Sequence, residues 1–422
     1  MTEQAPSATR RLSGLRTSPA RYRLLLIASA LDGTDVSENA VAYQWASRLA
    51  ERHDVTILTY RKRGRASARD QIPGARFIEW DELPLLGRAA NLNNLMQPYY
   101  VVFYRQVRNW LRGALRRGET FDLVHQITPV ALRYPSPATG LVPNVVLGPR
   151  CGGLPTPPGF ESELAVEPWY VKLRALDQWR FRHDPVLRRS LSSASVVIGA
   201  APYVRDLLAD VPLRRFEVMS ELGVDQLPEA REPPRREEGE LRGLFVGRLI
   251  RTKGARDAIR ALARLADLPR VTLDVVGDGH DRADCEAEAR TLGVAERVRF
   301  HGWVPHTEVA RFYGAADAFV FPSFREPTGG VVLEAMSYGL PLVVAAYGGP
   351  AALVDDETGI RVRCVESETF AVGLADAIRI LATDPERRAA LGAAARRRVA
   401  EQYLWPAKLA WLERLYGEVL GR

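Results

Sequence analysis

Long hydrophobic runs are what this sequence has least of. Its longest apolar run, residues 24–31, falls far short of the ~20 residues that a membrane-spanning helix needs. Cysteine is scarce as well: Cys151, Cys285 and Cys364 are scattered, and no two of them have metal-ligand spacing. These absences argue against a transmembrane helix, a disulfide scaffold and a cysteine zinc site, and they predict a reduced chain in the cytoplasm.

No G-x-G-x-x-G fingerprint follows any strand-like run, which argues against a dinucleotide oxidoreductase. The nearest match, residues 276–280, offers only a two-glycine turn. No RNA- or DNA-binding module signature is present either, although the net charge is +7. Residues 1–225 hold 30 Lys and Arg against 22 Asp and Glu, so the first half carries all of the positive excess. That imbalance predicts an anionic partner: a phosphate-rich small molecule, a nucleic acid or an acidic membrane surface.

Strand-like apolar runs alternate with longer amphipathic stretches in two successive parts of the chain, which indicates two α/β domains with parallel sheets. Residues 226–240 separate the two series, and they are charged, contain proline and have few apolar side chains, as linkers do. We therefore predict a disordered tail over 1–20, an N-terminal domain over 21–225, a linker over 226–240 and a C-terminal domain over 241–404. The strand-like runs are 24–30, 55–60, 123–125, 145–147 and 196–198, followed by 244–246, 271–276, 298–301, 318–321 and 342–345.

The loop after the first strand of the C-terminal domain, residues 247–254, places cations beside the start of a helix. Gly247 permits a tight turn, and Arg248 and Lys253 add to the positive end of the helix dipole. Such a loop can hold a diphosphate and stabilise a departing phosphate without a metal ion. A solvated basic loop is the alternative on these residues alone.

Two carboxylates, Glu326 and Glu334, lie eight positions apart around the glycine pair Gly329 and Gly330. In a wholly helical segment they would be roughly 12 Å apart, about the reach from a hexose across a diphosphate to a ribose. Each carboxylate can accept hydrogen bonds from two hydroxyls, and the glycines let backbone N–H groups approach a ligand. The alternative is one helix-start glutamate and one surface glutamate, which the apolar surroundings of Glu334 disfavour.

The order of these motifs resembles retaining glycosyltransferases of family 4, which have the GT-B fold. The resemblance covers roughly residues 22–420. It implies two doubly wound parallel-sheet domains that face a cleft, with the C-terminal helix, 405–422, crossing back to the N-terminal domain. The motifs that carry it are Gly247, Arg248 and Lys253, the Glu326-x7-Glu334 spacing after 322–323, and the pairs 348–349 and 358–359.

Position by position, the resemblance implies that Arg248 and Lys253 hold the donor diphosphate, with Glu326 on the transferred sugar. Glu334 would hold the nucleotide ribose. We expect no metal ion or other cofactor, because the two cations are able to stabilise the leaving group. The implied loop around sugar, phosphate and base comprises Gly247, Gly329, Gly330, Val331, Val332, Trp303 and Val304.

In the N-terminal domain, the resemblance implies a cleft-facing histidine at His125, a candidate catalytic residue for which a structural role is the alternative. Residues 148–153 are a candidate cleft loop, with a plain turn as the alternative. Another implied cleft loop, which lacks the family's usual glycine pair, comprises Gly33, Thr34, Asp35 and Glu38.

These features predict a retaining hexosyltransferase that uses a nucleotide-diphosphate sugar, with a UDP-sugar favoured, and a hydroxyl acceptor. A sugar-nucleotide epimerase of the same fold is an alternative, and UDP release that requires an acceptor would exclude it. A nucleic-acid-binding protein is a further alternative, but the positive excess lies away from the donor motifs, so we expect no nucleic-acid partner. The sequence leaves the sugar, the base, the acceptor and the oligomeric state open.

The stretch 98–117 predicts contact with an anionic membrane surface at the inner face of the membrane, and with it a lipid or lipid-linked acceptor. Its apolar residues recur at helical spacing and its basic residues lie off that stripe, as in helices that lie among lipid headgroups. A helix packed on its own sheet, with a solvated arginine face and a soluble acceptor, is the alternative. The predicted membrane contacts are Arg105, Arg108, Trp110, Arg112, Arg116 and Arg117.

Overall fold

The computed structural model describes residues 21–35, 38–61, 67–81, 99–164, 175–230 and 236–422. The predicted tail, 1–20, and the middle of the predicted linker, 231–235, lie outside the described residues. The flanking linker residues 226–230 and 236–240 form no helix or strand.

The first sheet has seven parallel strands in the order β3-β2-β1-β4-β5-β6-β7. Every residue of its central strands β4 and β5 is buried, because helices cover both faces, and this explains their continuous apolar runs. The strands are β1 (Arg23–Ile27), β2 (Asp54–Arg61), β3 (Arg76–Asp81), β4 (Leu123–Gln126), β5 (Val145–Arg150), β6 (Val196–Gly199) and β7 (Phe216–Val218). The helices are α1 (Glu38–Arg52), α2 (Tyr100–Arg116), α3 (Ala175–His183), α4 (Pro185–Ser193) and α5 (Tyr203–Leu207).

The second sheet has six parallel strands in the order β10-β9-β8-β11-β12-β13. The doubly wound α/β prediction is therefore confirmed for both sheets. The strands are β8 (Leu241–Val246), β9 (Val271–Val276), β10 (Val298–Gly302), β11 (Ala318–Phe321), β12 (Leu342–Ala345) and β13 (Gly359–Val362). The helices are α6 (Ala255–Ala263), α7 (Arg282–Thr291), α8 (His306–Ala315), α9 (Gly330–Ser337), α10 (Gly348–Leu353), α11 (Ser367–Thr383) and α12 (Pro385–Arg398).

The last helix, α13 (Trp405–Val419), packs against the N-terminal domain, which confirms the predicted crossing. Trp405 meets Trp45 of α1 edge to face, with 4.9 Å between ring centroids. Leu412 and Tyr416 are buried in the same core as the first strand. The contact is extensive and apolar, so it holds the chain's end on the first sheet.

Both sheets reverse their strand order at one point, between β1 and β4 in the first and between β8 and β11 in the second. Ligands of doubly wound sheets bind at the carboxyl ends of the strands beside such a point. The segments that follow β1, β8 and β11 contain eight of the predicted site residues: Gly33, Thr34, Asp35, Gly247, Arg248, Lys253, Glu326 and Gly329. No helix in the described parts of the chain is long and apolar enough to span a membrane.

Candidate functional site

A cavity of about 450 Å³ is lined by residues from both domains. The C-terminal domain contributes Arg248 and Lys253 after β8 and Glu326 after β11. The N-terminal domain contributes Glu38 at the start of α1 and residues 151–154 after β5. Residues far apart in sequence, several of which were predicted separately, thus share one cavity.

The Lys253 ammonium and the Glu326 carboxylate form an ion pair in the cavity wall. The second oxygen of Glu326, Oε1, accepts the backbone N–H groups of Thr328 and Gly329, each at 3.1 Å. Burial opposes ionisation of Glu326, but Lys253 and these hydrogen bonds outweigh it, so the pKa of Glu326 is lowered. Glu326 is therefore an ionised carboxylate whose orientation is fixed by its own loop.

Arg248 is exposed in the same wall, and its guanidinium makes no hydrogen bond or ion pair with any residue that the structure describes. Gly247 leads into it from β8, with its N–H bonded to the Val276 carbonyl at 3.0 Å. Arg251 differs, because it is buried and paired with Asp257 at 2.6 Å. The loop therefore assigns Arg251 to the fold and leaves Arg248 available to an anion.

The turn between β11 and α9 is made at Gly329, whose φ of +87° is a conformation that favours glycine. Because α9 begins at Gly330, Glu326 precedes the helix and Glu334 lies on its second turn. The estimate from helical spacing assumed that one continuous helix carries both carboxylates, and the structure shows that it does not.

The first turn of α9 offers backbone N–H groups at Gly330 and Val331, since a helix has no internal acceptor for its first donors. Val332 differs, because its N–H bonds to the Gly329 carbonyl at 3.0 Å and its side chain is fully buried. The Val332 N–H is therefore less available to a ligand than those of Gly330 and Val331, and the ligand contact of Val332 stays a prediction.

Glu334 accepts a hydrogen bond from the Tyr313 hydroxyl at 3.0 Å, and Nε2 of His306 lies 3.4 Å from its other oxygen. This contact and the negative charge of Glu334 raise the pKa of His306. Glu334 does not line the cavity described above. Its role on a ribose stays a prediction.

The predicted base pocket after β10 is open to solvent. Trp303 leaves 74% of its surface exposed, whereas Val304 packs against the core of the C-terminal domain. Neither residue lines the cavity. Their contact with a nucleobase stays a prediction.

Of the four residues predicted for the first cleft loop, Glu38 lines the cavity, and its Oε1 accepts the Val130 N–H at 2.7 Å. The other three do not line it. They are held within the N-terminal domain: Gly33 by Gln71 (2.7 Å), Thr34 by Asp32 (2.7 Å) and Asp35 by Asn39 (2.6 Å).

His125 is fully buried and does not line the cavity. Its Nε2 lies 2.6 Å from the Gly148 carbonyl, which can only accept, so Nε2 carries the hydrogen. Its Nδ1 then accepts from the Tyr416 hydroxyl at 2.6 Å. Burial lowers the pKa of His125 to about 4. Both nitrogens are engaged inside the N-terminal core, which contradicts the predicted catalytic role and assigns His125 to the docking of α13.

The apolar stripe of α2 packs into the core of the N-terminal domain. Val107 and Leu111 are fully buried, and Trp110 packs beside Phe121 with 6.3 Å between ring centroids. Trp110 is only half-buried, so its contact with a membrane stays a prediction.

The arginines of α2 divide into two groups. Arg108 turns inward and donates to the Pro137 and Thr139 carbonyls at 3.0 and 2.8 Å, so it is not a surface cation. Arg117 pairs with Glu119 at 2.9 Å. Arg117, which follows the last residue of α2, stays exposed in this pair, and Arg105, Arg112 and Arg116 are exposed on the helix itself.

The lining residues that were not predicted include Arg133, Tyr134 and Glu221. Glu221 follows β7, a three-residue edge strand with no buried residue, so no apolar run marked the strand end before it. Arg133 and Tyr134 follow β4 at a distance of several residues, where the sequence offered no motif.

The described residues contain no group of three or more His, Cys, Asp or Glu side chains that could hold a metal ion. Donor binding without a metal ion stays a prediction, based on Arg248 and Lys253.

The solved structures that the chain resembles span nearly its whole length. Sucrose-phosphate synthase from Thermosynechococcus elongatus matches with a TM-score of 0.62 and 22% identity, covering 95% of this chain and 100% of that one. HepE from Anabaena, solved in complex with UDP, matches with a TM-score of 0.60 and 19% identity, covering 94% of this chain and 99% of that one. The chain therefore has the GT-B fold.

The match to a family model lies in the C-terminal part of the chain. Residues 227–398 match the family described as glycosyl transferases group 1. Glycogen synthase from Mycobacterium tuberculosis is 38% identical over 187 residues, 43% of this chain and 44% of that protein. The 2-deoxystreptamine glucosyltransferase from Streptomyces kanamyceticus is 37% identical over 181 residues, 41% of this chain and 45% of that protein. The chain thus matches less than half the length of these relatives.

Proposed function

We propose that the protein is a retaining glycosyltransferase that transfers a hexosyl group from a UDP-sugar to a hydroxyl acceptor. The observation that carries the proposal is the cation pair of the cavity. Arg248 has no partner among the described residues, and Lys253 stands beside the fixed carboxylate Glu326. A diphosphate needs two positive groups, and a sugar needs a hydrogen-bond acceptor next to them.

The leaving group is stabilised by these cations. As the bond between C1 of the sugar and the phosphate oxygen breaks, negative charge grows on the departing UDP. Arg248 and Lys253, placed in a partly enclosed cavity, stabilise that charge. Lys253 then shares its contacts between Glu326 and the phosphate.

Retention follows if the acceptor oxygen attacks C1 on the face that UDP leaves. The new C1–O bond forms there as the old one breaks, and the acceptor proton passes to the departing phosphate oxygen. Glu326 orients the reacting sugar by accepting hydrogen bonds from its hydroxyls, which holds C1 with that face toward the acceptor oxygen. Closure of the two domains excludes water that would hydrolyse the donor.

The similar proteins support a UDP-sugar as the donor. The HepE structures from Anabaena were solved with UDP and with UDP-glucose. Sequence similarity to a glycogen synthase and to a 2-deoxystreptamine glucosyltransferase favours transfer over epimerisation. The names of these two relatives imply different acceptors, so the similarity does not identify the acceptor of this protein.

The decisive experiment is nucleotide binding, measured by calorimetry with UDP, GDP and ADP. We expect UDP to bind most tightly, and Arg248→Ala to weaken it by about 1.5–3 kcal/mol, the contribution of a charge-assisted hydrogen bond. Arg290→Ala is the matched control, since Arg290 is an exposed arginine at the C-terminal end of α7, which returns toward the opposite edge of the sheet. Equal UDP affinity in all three proteins would refute the donor site.

A lipid-linked acceptor is a second proposal, favoured by the exposed face of α2 with Arg105, Arg112 and Arg116. These side chains could dock the N-terminal domain on anionic lipid without inserting the buried stripe. A soluble acceptor is the alternative, and vesicle co-sedimentation separates the two.

A further inference from the structure

The segment 219–224, which leads from β7 toward the second domain, separates two cavities. On one side Glu221 lines the cavity of the candidate site. On the other side lies a cavity of about 510 Å³, lined by Ser220, Lys408 and Glu401, among others. Neighbouring residues of this segment thus contribute to different cavities.

The main chain at this point is held by two helices of the N-terminal domain. Nε1 of Trp45, on α1, donates to the Glu221 carbonyl at 2.9 Å. Nζ of Lys408, on α13, donates to the Ser220 carbonyl at 2.6 Å. The backbone from which the Glu221 side chain extends is therefore fixed relative to the first sheet.

The Glu221 carboxyl has few protein partners. Sγ of Cys151, a weak donor, lies 3.5 Å from Oε2, and Glu221 forms no ion pair with any residue in the described part of the chain. Burial raises its pKa to about 7; Glu38 and Glu326 add to this rise, while Cys151 and Lys408 oppose it. A carboxyl desolvated to this degree costs free energy unless a ligand donates hydrogen bonds to it.

The position of Glu221 separates it from the donor groups. Arg248, Lys253 and Glu326 all belong to the C-terminal domain, whereas Glu221 is anchored to the N-terminal domain. Glu38, on the same side, already accepts the Val130 N–H. Glu221 is thus the carboxyl on this side that is best placed to receive a ligand's donors.

We propose that Glu221 is the acceptor-positioning carboxylate of the cavity and that the acceptor presents a small ring with neighbouring hydroxyl or ammonium donors, as a saccharide or cyclitol does. This inference rests on the proposed function. A carboxylate accepts two hydrogen bonds from adjacent groups on a ring, whereas a simple alkyl alcohol offers it one. Both a lipid-linked saccharide and a free sugar present such a ring.

The test is calorimetric titration of the UDP-saturated protein with D-glucose, D-glucosamine, myo-inositol and 1-hexanol. Glu221→Gln should weaken binding of the ring probes about tenfold or more, with UDP affinity unchanged and a melting temperature no lower than that of the parent. Glu401→Gln, a carboxylate in the other cavity, should match the parent. Tighter binding of glucosamine than glucose to the parent assigns the donor to an ammonium group, and equal binding assigns it to hydroxyls.

Three results would overturn the inference while leaving the proposed function intact: UDP binds but no ring probe does, Glu221→Gln binds the ring probes as the parent does, or hexanol binds as tightly as the rings. Loss of UDP affinity in Glu221→Gln would place the residue in the donor site instead. Failure of UDP to bind the parent protein would refute the proposed function itself.

Discussion

Replacing His125 by Gln separates a structural histidine from a catalytic one. In the native state Nε2–H of His125 donates to the Gly148 carbonyl and Nδ1 accepts from Tyr416. Burial disfavours the charged imidazolium and lowers the pKa of His125 to about 4 from an ordinary 6.5; the hydrogen bond to Gly148 opposes this shift and the charge of Arg150 adds to it. The unfolded chain therefore binds a proton at His125 between these values and the native chain does not.

The magnitude follows from linkage. The pKa of His125 is lower in the native state than in the unfolded chain. Its contribution to the free energy of unfolding is therefore fully present above pH 6.5 and is lost as the pH falls toward 4. Each pH unit in that window costs about 1.4 kcal/mol, so the native state loses roughly 2 kcal/mol between pH 7 and pH 5 through this one group. His125→Gln has no proton to gain there, although it is less stable at pH 7.

The assay is denaturant unfolding of the parent and His125→Gln at pH 7 and pH 5, monitored by near-UV circular dichroism. Other titrating groups are common to both proteins, so the difference in pH dependence isolates His125. We expect the parent to lose about 2 kcal/mol more than the variant. Identical pH dependence would refute the reasoning. Loss of a general acid or base typically lowers turnover 10²-fold or more. A fall of this size in the folded His125→Gln variant would restore the catalytic assignment.

Three further predictions concern the proposed reaction. Glu326→Gln should lower turnover about a hundredfold through loss of sugar orientation, while Glu334→Ala should weaken UDP and UDP-glucose equally in calorimetry; equal loss of UDP affinity in the two variants contradicts this division. UDP binding should survive EDTA, and its abolition would show that the cations do not suffice. Changing Arg105, Arg112 and Arg116 to Ser should reduce co-sedimentation with anionic vesicles at low salt, given about 1 kcal/mol per basic residue; a parent protein that stays in the supernatant throughout would exclude the lipid surface.

The buried strands of both sheets could be predicted because a strand covered on both faces is a continuous apolar run. The edge strands β3, β7 and β13 were missed for the converse reason. Their side chains are only partly buried, so alternation and exposure dilute the signal. Because β7 was missed, Glu221, which follows that strand, was not recognised as a cavity residue.

Local motifs predicted residue types better than they predicted partners. The cations of the loop after β8 were recognised, yet only the structure separates Arg251, paired with Asp257, from Arg248, which has no partner in the described part of the chain. In α2 the helical stripe correctly indicated a buried face but not its partner, which is the helix's own sheet. Periodicity reports that a face is buried and contains no information about what covers it.

Two of the segments that cross between the domains, 219–224 and 403–405, run side by side. The N–H of Val224 bonds to the Tyr403 carbonyl at 2.8 Å, and the N–H of Trp405 bonds to the Val224 carbonyl at 3.1 Å. Because Phe160 stacks on Phe324 and Glu163 pairs with Arg251, residues 159–163 would move with the second sheet in any rotation about this paired point. Glu221 lies before it and is tied to Trp45, so it would stay with the first sheet, whereas Glu326 would travel with the second. Closure would then bring a sugar held by Glu326 to an acceptor held by Glu221, which places the reacting atoms together only when both ligands are bound.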